Sequence, residues 1–264
     1  MSRALITGCS TGIGRATAVE LAARGHDVVA TARDVERLDG LDVAHTLPLD
    51  VTDDASVEAA RAAAGDIDVL VNNAALGVMG PVEEMPLVDI QAMYDTNVFG
   101  ALRMVHAFVP AMRERGRGHV VNVSSIAARW TVEPFIGPYS STKAALDALT
   151  ETMWIELARF GVRVSLVSPG YTATNWATNE QWVGTEGPYA ELHDQVVAAD
   201  EAGQARAAAA EVVASTIADA IDADDPDRLR WPGDQAAADI VSLRTSYDDA
   251  AWERIVKDEP AYDW

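Results

Sequence analysis

The feature that most constrains the fold is an alternation of two kinds of segment along the chain. Short β-branched runs of almost continuous apolarity are typical of strands that are buried on both faces of a sheet. Segments with a helical repeat of apolar residues lie between them, and several end at glycines suited to a helix C-terminus. Strand and helix alternate six times, which predicts a parallel sheet with helices on both faces. The predicted strands are RALIT, DVVATA, HTLPL, DVLVNN, HVVNVS and VRVSLVS, and the glycines are Gly25, Gly65 and Gly161.

The length of the chain, 264 residues, suits one large α/β domain. No repeat, linker or change in composition marks a second domain. We therefore predict a single domain of three α/β/α layers, built on a doubly wound parallel sheet of about seven strands. Residues 1–175 would form its core and residues 207–264 would complete it. Residues 175–206 have weak periodicity, and we expect a long insertion with a functional role.

A glycine-rich turn joins the first predicted strand to the first predicted helix. Its sequence, TGCSTGIGRA, has glycines in the spacing G-x-x-x-G-x-G. Such glycines permit a tight turn, let the backbone approach a pyrophosphate and let helix and strand pack closely. The N-terminus of the helix adds free N–H groups and a positive dipole end. A purely structural turn is the alternative, but the position favours a Rossmann-type dinucleotide site. This site would comprise Gly8, Ser10, Thr11, Gly12, Ile13 and Gly14, with Cys9 as a small filler.

The end of the second predicted strand bears on the choice of dinucleotide. A carboxylate there would bind the ribose 2′-hydroxyl of NAD, whereas an arginine accommodates the 2′-phosphate of NADP. The sequence VVATARDVE places Arg33 directly after the strand, followed by Asp34. The Arg33 guanidinium suits a phosphate, and Asp34 is better explained as the N-cap of the next helical segment. We predict NADP(H) as the favoured cofactor, with NAD(H) as the alternative.

A tyrosine and a lysine lie one helical turn apart in the segment PFIGPYSSTKAALDALTE. Tyr139 precedes Lys143 by four residues in a chain with six tyrosines and only two lysines, so chance is a poor explanation. Two neighbours on a solvated helix face are the other interpretation. A tyrosine hydroxyl has an unperturbed pKa of about 10, which an adjacent ammonium lowers by stabilising the phenolate. The pair therefore suits acid–base chemistry near neutral pH.

Seven ordered motifs resemble the short-chain dehydrogenase/reductase family, from about Arg3 to Asn175. They are TGCSTGIG, LDVTD, NNAA, the asparagine of YDTNVFG, the serines of VNVSSIAA, YSSTK and SPGYTAT. The resemblance implies an NAD(P)-dependent enzyme that interconverts an alcohol and a ketone or aldehyde by hydride transfer. Its catalytic residues would be Asn97, Ser125, Tyr139 and Lys143. Its further cofactor contacts would be Asp50, Val51, Asn73, Ala74, Pro169, Gly170, Thr172 and Thr174, together with Tyr139 and Lys143.

The resemblance also implies a role for each catalytic residue. Tyr139 would act as general acid or base, assisted by Lys143, which would also hold the nicotinamide ribose. Ser125 would donate a hydrogen bond to the substrate oxygen. Asn97 would hold a water that links Lys143 to solvent, and a helix cap is its alternative role.

The chain departs from the family pattern at two places. Ala75 stands where the usual NNAG motif has its glycine. The interval from Ser125 to Tyr139 is 14 residues, one more than the commonest spacing in the family. Ser124 is therefore the alternative to Ser125.

Apolar and aromatic residues near these motifs predict the substrate site. The loop 75–81, the loop after Ser125 and the insertion would form its walls, which favours an apolar alcohol or ketone. Packing of the insertion against the core is the alternative role. The apolar helical segments 98–114 and 141–160 predict pairing with further copies of the chain, as a homotetramer or homodimer. The candidate wall residues are Met79, Trp130, Phe135, Tyr171, Trp176 and Trp182.

Charge and residue inventory disfavour other classes of function. The net charge of −21 argues against nucleic-acid and anionic-membrane partners, and it fits either a high-salt host or an ordinary acidic surface. The five histidines lack metal-ligand spacing, so we expect no metal site. The N-terminus lacks a signal-peptide pattern, and we expect a cytoplasmic protein. Two rival functions are a nicotinamide-binding regulator without catalysis and a lyase or epimerase on the same scaffold.

Overall fold

A parallel sheet of seven strands forms the centre of the structure, a computed structural model that describes residues 1–130, 133–174 and 181–257. Its strands are β1 (Arg3–Ile6), β2 (Asp27–Ala32), β3 (His45–Pro48), β4 (Val69–Asn72), β6 (Gly118–Val123), β7 (Val162–Ser168) and β11 (Arg230–Pro232). Two short pairs lie outside the sheet, β5 (Val78–Met79) with β9 (Gln181–Trp182) and β8 (Thr172–Ala173) with β10 (Ala208–Ala209). The order in the sheet is β3-β2-β1-β4-β6-β7-β11, so the predicted doubly wound fold is confirmed.

Helices cover both faces of the sheet and bury its apolar side chains. One face packs against Leu21, Val213 and Ile217, and the other against Met104 and Phe108. In the described residues, no helix combines the length and apolarity that a bilayer crossing needs. The helices are α1 (Gly12–Ala23), α2 (Asp54–Ala64), α3 (Leu87–Tyr94), α4 (Ala101–Arg115), α5 (Gly137–Ala158), α6 (Ala190–Gln204), α7 (Ala210–Asp222), α8 (Gln235–Thr245) and α9 (Asp249–Lys257).

The local signals in the sequence account for most element boundaries. All six predicted strands are present, each within one residue of its predicted limits. Gly25, Gly65 and Gly161 follow helices with φ of +84°, +66° and +70°, the left-handed region that ends a helix. The Asp34 carboxylate accepts a hydrogen bond from the backbone N–H of Glu36 at 3.1 Å, which confirms its role as an N-cap.

The insertion is more regular than its sequence indicates. The weak periodicity of residues 175–206 indicates an irregular insertion, but residues 190–204 form helix α6. Its sequence signal is weak because Val196 and Gly203 are its only buried members. Contacts from distant parts of the chain stabilise it instead, since Phe135 packs against Val196 and Leu192. Tertiary packing therefore overrides a weak local pattern.

The sheet order reverses between β1 and β4, and this point positions the functional residues. In open parallel sheets the crevice at such a reversal, beyond the carboxyl ends of the strands, is where ligands bind. The glycine-rich turn follows β1, and the NNAA segment follows β4. On the far side of β4, a π-helical turn over Asp95–Gly100 connects α3 to α4 and carries Asn97.

Candidate functional site

The turn after β1 has the shape that its glycines predict. Gly8 and Gly12 adopt φ of +75° and +58°, which side chains rarely tolerate. A Cβ atom on Gly14 would overlap the Asn73 side chain and the backbone oxygen of Gly8. The turn can therefore lie flat against the end of β4 and leave its backbone open toward the crevice.

The N-terminus of α1 is free to attract an anion. Thr11 occupies the N-cap position in an extended conformation, and its side chain makes no capping hydrogen bond. The first turn of α1 contains no acidic residue, so its positive dipole end is uncompensated there. Arg15 adds a cation on this turn and donates a hydrogen bond to the Arg37 backbone oxygen at 3.2 Å. These features fit a phosphate-bearing cofactor.

A threonine that the sequence analysis did not single out joins the two strand ends. The hydroxyl oxygen of Thr7 accepts hydrogen bonds from the backbone N–H groups of Asn73 and Ala74, both at 2.9 Å. The Asn73 amide donates to the backbone oxygens of Thr7 and Gly8 at 2.9 and 3.3 Å. The contacts hold the glycine turn and the NNAA segment together at the reversal point.

Three of the residues predicted to contact the cofactor, Arg33, Asp50 and Val51, follow β2 and β3. Arg33 is exposed at the end of β2, and its charge acts on Asp50. Burial tends to raise the pKa of Asp50, but hydrogen bonds from Thr52 and the charges of Arg33 and Arg103 hold it below its ordinary value. Val51 is buried and lies against Gly100, where a Cβ atom would come within 2.7 Å of its side chain.

The segment after β7 faces the glycine turn. The Pro169 backbone oxygen accepts a hydrogen bond from the Ile126 N–H at 2.9 Å, and Thr172 donates to the Gly170 oxygen at 3.1 Å. A Cβ atom on Gly12 would meet the Thr174 side chain at 3.2 Å. The structure thus brings Thr174 of this segment beside the glycine-rich turn.

Helix α5 presents Tyr139 and Lys143 to the carboxyl end of β6. Both side chains are buried, and the Lys143 Nζ lies 5.8 Å from the centroid of the Tyr139 ring. The ammonium donates a hydrogen bond to the Val123 backbone oxygen at 3.0 Å. Burial lowers the pKa of Lys143 to about 8, and the negative charge of Asp147 opposes this shift. The alternative of two neighbours on a solvated helix face is wrong.

The two serines after β6 have different environments. Ser124 is buried and its hydroxyl donates to the Asp147 carboxylate. Ser125 is partly exposed, and its side-chain oxygen accepts a hydrogen bond from the Ala127 N–H at 3.1 Å. That acceptor contact leaves the hydroxyl proton of Ser125 available to a ligand, whereas the Ser124 proton is engaged within the protein.

Asn97 lies inside the π-helical turn and connects three segments. Its amide oxygen accepts from the Leu76 N–H at 2.8 Å, and its amide nitrogen donates to the Leu76 oxygen and to the Thr142 hydroxyl, both at 2.9 Å. Thr142 in turn donates to the Tyr139 backbone oxygen at 2.7 Å. Asn97 does not cap α4, so that alternative role is wrong. The amide ties the loop after β4 to the helix that carries Tyr139.

A cavity opens where these elements meet. Thr7, Ala74, Asn97, Val123 and Lys143 are among the residues that line it. It therefore joins the reversal point of the sheet to the ammonium of Lys143. No cluster of three or more His, Cys, Asp and Glu side chains that could hold a metal ion occurs in the described parts of the chain.

Two of the candidate wall residues lie around Tyr139, and a third packs against one of them. Met79 belongs to the buried apolar cluster that contains Tyr139, and Trp182 packs against the same cluster. Trp182 also packs against Phe135, whose backbone oxygen accepts from the Gly80 N–H at 2.9 Å. Strand β9 pairs with β5 in the register Met79 opposite Trp182, so the insertion is joined to the wall beside Tyr139 by backbone hydrogen bonds.

The other candidate wall residues have different neighbours. Trp130 packs edge-on against Trp252 of α9, with ring centroids 4.9 Å apart. The Tyr171 hydroxyl donates to the Glu133 carboxylate at 3.3 Å. Burial and the charge of Asp200 raise the pKa of Glu133 against that hydrogen bond. Trp176 lies outside the described residues.

Sequence reasoning missed several residues that support the site. The Asp234 carboxylate accepts from the Gly170 N–H at 3.2 Å and caps α8 through the Ala237 N–H at 2.8 Å. Its position before QAAAD was a usable capping signal. Asp147 stands four residues after Lys143, a helical spacing that was also visible. Thr7 carried no signal beyond its place at a strand end.

Comparison with known proteins agrees with this arrangement. The pattern of the family described as short chain dehydrogenase matches residues 2–182. Human (Homo sapiens) retinol dehydrogenase 8 is 40% identical over 185 residues, which cover 65% of this chain and 59% of that protein. Mouse (Mus musculus) 17-beta-hydroxysteroid dehydrogenase type 1 is 40% identical over 206 residues, covering 72% and 59%. This chain therefore matches about three fifths of the length of these relatives.

Two further similarities extend along almost the whole chain. An uncharacterised Bacillus subtilis oxidoreductase, YusZ, is 30% identical over 272 aligned residues, which cover 96% of both proteins. The crystal structure of a Streptomyces avermitilis short-chain dehydrogenase superposes with a TM-score of 0.84 at 32% identity, covering 99% and 98% of the two chains. With the glycine turn, the sheet reversal and the buried tyrosine–lysine pair in place, these similarities establish that the chain belongs to the short-chain dehydrogenase family.

Proposed function

We propose that the protein is an NAD(P)-dependent oxidoreductase that interconverts an alcohol and a ketone or aldehyde. The observation that carries this proposal is the buried Lys143 ammonium beside Tyr139, at the crevice where the sheet order reverses. A desolvated ammonium stabilises a nearby phenolate strongly, which suits Tyr139 to proton transfer near neutral pH. The nicotinamide cofactor, when bound, supplies or accepts the hydride.

The residues around Tyr139 have separate roles in this proposal. Tyr139 gives a proton to the substrate oxygen in reduction and removes it in oxidation. Ser125 donates a hydrogen bond to the same oxygen, and its partly exposed hydroxyl supports this choice over the engaged hydroxyl of Ser124. Lys143 holds the phenolate charge and the nicotinamide ribose. Asn97 fixes the loop after β4 and holds a water on the path from Lys143 to solvent.

NADP(H) is the cofactor that the charge distribution favours. Arg33 is exposed at the end of β2, where a 2′-phosphate would lie, and Arg15 adds a second cation on α1. Guanidinium groups bind phosphate in bidentate fashion. Related structures do not decide the choice, because one contains a serine dehydrogenase with NADP⁺ and another contains a Burkholderia phymatum family member with NAD.

An apolar alcohol or ketone is the substrate class that we propose. Met79, Trp182 and the cluster around Tyr139 supply an apolar wall, and Phe135 extends it toward α6. The relatives named retinol dehydrogenase and 17-beta-hydroxysteroid dehydrogenase point to the same class. A substrate with a large anionic carrier is disfavoured because Asp200 is an acidic residue of the insertion and Glu133 lies beside it.

Assembly into a homodimer or homotetramer is part of the proposal. Phe99 and Ile155 expose 50% and 69% of their surface on the helical segments predicted to pair. Exposed large apolar side chains on both of the segments predicted to pair support a surface that another copy covers. Sedimentation at micromolar concentration tests this, and a monomeric mass would contradict it.

The experiment that tests the activity is a panel of alcohols and ketones, followed at the nicotinamide absorbance with NADPH and NADH side by side. Wild-type protein should turn over at least one apolar member of the panel. Tyr139→Phe should lose turnover by about 10²- to 10⁴-fold while it retains cofactor binding. Turnover by Tyr139→Phe at the wild-type rate would reject the mechanism. If the wild-type protein binds the cofactor but turns over no member of the panel, the rival function of a nicotinamide-binding regulator is favoured.

A further inference from the structure

A buried serine–aspartate pair lies directly behind the proposed catalytic residues. The Ser124 hydroxyl donates a hydrogen bond to Asp147, and the two residues expose only 4% and 6% of their surface. Ser124 immediately precedes Ser125, while Asp147 lies one turn after Lys143 and two turns after Tyr139 on α5. The pair therefore connects the segment that carries one proposed catalytic residue to the helix that carries two others.

Two successive contacts tie the end of β6 to α5. The Lys143 ammonium donates to the backbone oxygen of Val123 at 3.0 Å, and the next residue, Ser124, donates to Asp147. The backbone N–H of Ser124 also donates to the Val167 oxygen of β7 at 2.7 Å. Ser125 follows these anchored residues, so its distance from Tyr139 depends on them.

Asp147 is also the negative charge nearest to Lys143 along the buried face of α5. Its charge raises the pKa of Lys143 against the effect of burial. On its other side it lies 3.5 Å from Arg230 of β11 and 3.8 Å from Arg129, which follows Ser125 by four residues. Glu151, one turn further along α5, pairs with both arginines. Among the described residues, the charged groups around Asp147 are thus Lys143, Arg129 and Arg230, with Glu151 beyond the two arginines.

An ordinary structural ion pair would not need this arrangement. A carboxylate that only held the two arginines could lie at the half-exposed surface, as Glu151 does. Burying Asp147 beside the lysine costs desolvation energy, which contacts with arginines at the protein surface repay poorly. The hydrogen bond from Ser124 explains why Asp147 is buried, because it fixes the segment that carries Ser125.

We propose that Asp147 and Ser124 are positioning residues for the reaction, a proposal that rests on the function proposed above. Ser124 fixes the segment of Ser125 against α5. Asp147 accepts that hydrogen bond and keeps Lys143 charged beside Tyr139. Neither residue touches the substrate in this scheme, so each acts through a neighbour.

Asp147→Asn tests the electrostatic part. The amide can still accept the hydrogen bond from Ser124, but the negative charge is gone. Removing a negative charge lowers the pKa of every nearby titrating group, so the coupled Tyr139–Lys143 pair releases its proton at lower pH. The alkaline limb of kcat for carbonyl reduction should move down by about one pH unit.

Arg230→Gln tests the same electrostatic role without changing Asp147, so the test does not depend on whether Asp147→Asn folds. It removes a positive charge from the half-exposed side of Asp147. The alkaline limb should then move in the opposite direction, to higher pH, and by less because solvent screens Arg230. Glu156→Gln, on the exposed side of the same helix, is the matched control and should leave the limb in place.

Ser124→Ala tests the positional part, because it removes the hydrogen bond but keeps the charge. We expect kcat/KM to fall by about tenfold with an unmoved alkaline limb and an unchanged Kd for NADPH. Ser124→Thr keeps the hydroxyl and should restore most of the loss. If the alkaline limb of kcat lies at the wild-type pH in both Asp147→Asn and Arg230→Gln, the electrostatic role is overturned. If kcat/KM of Ser124→Ala equals that of the wild type, the positional role is overturned.

Tyr139→Phe in the same assay separates this proposal from the proposed function. If Tyr139→Phe is inactive and the variants of Ser124 and Asp147 behave as the wild type, only the positioning proposal fails. If Tyr139→Phe turns over at the wild-type rate, the proposed mechanism itself fails.

Discussion

The Lys143 ammonium lies 5.8 Å from the centroid of the Tyr139 ring and donates its hydrogen bond to the Val123 backbone oxygen. The cation therefore stands over the phenol while the end of β6 holds it in place. Burial lowers the pKa of Lys143 to about 8. A cation this close stabilises the Tyr139 phenolate, so we expect the titrations of the two groups to be coupled.

Lys143→Met should separate these two titrations. Without the ammonium, the Tyr139 phenolate loses its stabilising charge and its pKa rises toward the unperturbed value of about 10. Alcohol oxidation needs the phenolate, so its rate should reach a plateau only at higher pH, and kcat at pH 7.5 should fall by about 10²-fold or more. Stopped-flow oxidation rates from pH 6 to 10.5 measure the shift. A profile that overlays the wild type would contradict the role of Lys143.

Arg33→Ala should change the choice of cofactor. Loss of the guanidinium removes a bidentate partner for a 2′-phosphate, so the Kd for NADPH should rise by about tenfold or more. The Kd for NADH should change by less than about threefold, since NADH has no phosphate there. Fluorescence titration measures both constants. Arg113→Ala, on α4, is the control, and equal losses for the two cofactors in Arg33→Ala would argue against NADP(H).

Gly14→Ala should damage the cofactor turn through a single methyl group. The added Cβ would overlap the Asn73 amide and the Gly8 backbone oxygen, so the turn must move away from the end of β4. We expect cofactor Kd to rise by about tenfold or more. Gly40→Ala is the control: its φ of +74° makes alanine strained, but no atom lies within 4 Å of the added Cβ. That variant should lose stability and keep its cofactor affinity.

Trp182→Ala should act on the substrate and spare the cofactor. Trp182 packs against both the Tyr139 cluster and the Phe135 cluster, and its ring meets His193 edge-on at 5.4 Å. Its loss should raise KM for an apolar substrate by about tenfold, with a smaller change in kcat and none in cofactor Kd. Steady-state kinetics on the best substrate measure this. An unchanged KM would leave Trp182 with a packing role alone, for which a fall in Tm is the signature.

His119 should contribute to acid sensitivity. It is buried, its Nε2 lies 2.9 Å from the Ser165 hydroxyl, and burial lowers its pKa from 6.5 to about 3. The folded protein therefore binds fewer protons here than the unfolded chain below pH 6.5, so this stability is complete above pH 6.5 and is lost as pH falls toward 3. Urea unfolding at pH 7.5 and 5.0 should show His119→Gln losing about 2 kcal/mol less than the wild type. Equal losses would refute the assignment.

The strands and the glycine-rich turn could be predicted from the sequence because they rest on local signals. Buried parallel strands are apolar runs, and positions such as Gly8 and Gly12 must be glycine whatever surrounds them. The placement of Tyr139 and Lys143 on one helix face also follows from spacing alone. Each of these depends on a few neighbouring residues.

The parts that escaped prediction depend on contacts between distant segments. Helix α6 lacks a strong apolar stripe and is held by Phe135, which lies more than 50 residues before it, and by Trp182 of the same insertion. A helix cap was the alternative role for Asn97, because its actual partners, Leu76 and Thr142, are 21 residues before it and 45 after it and give no local signal. In the sequence, nothing beyond its spacing from Lys143 distinguishes Asp147 from the many other acidic residues of the chain. Its hydrogen bond from Ser124 and its effect on Lys143 appear only in the folded structure.

The π-helical turn over Asp95–Gly100 gives the site a dependence on chain length. A π turn accommodates one residue more than an α turn, and each residue of a helix rotates the next by about 100°. Deleting one residue between Tyr94 and Asn97 would let an unbroken α-helix form and would point the asparagine away from Leu76 and Thr142. The number of residues in this connection therefore matters to the site as much as the identity of its side chains. We expect deletion of one codon here to abolish the proposed activity, whereas many substitutions in α3 would leave it intact.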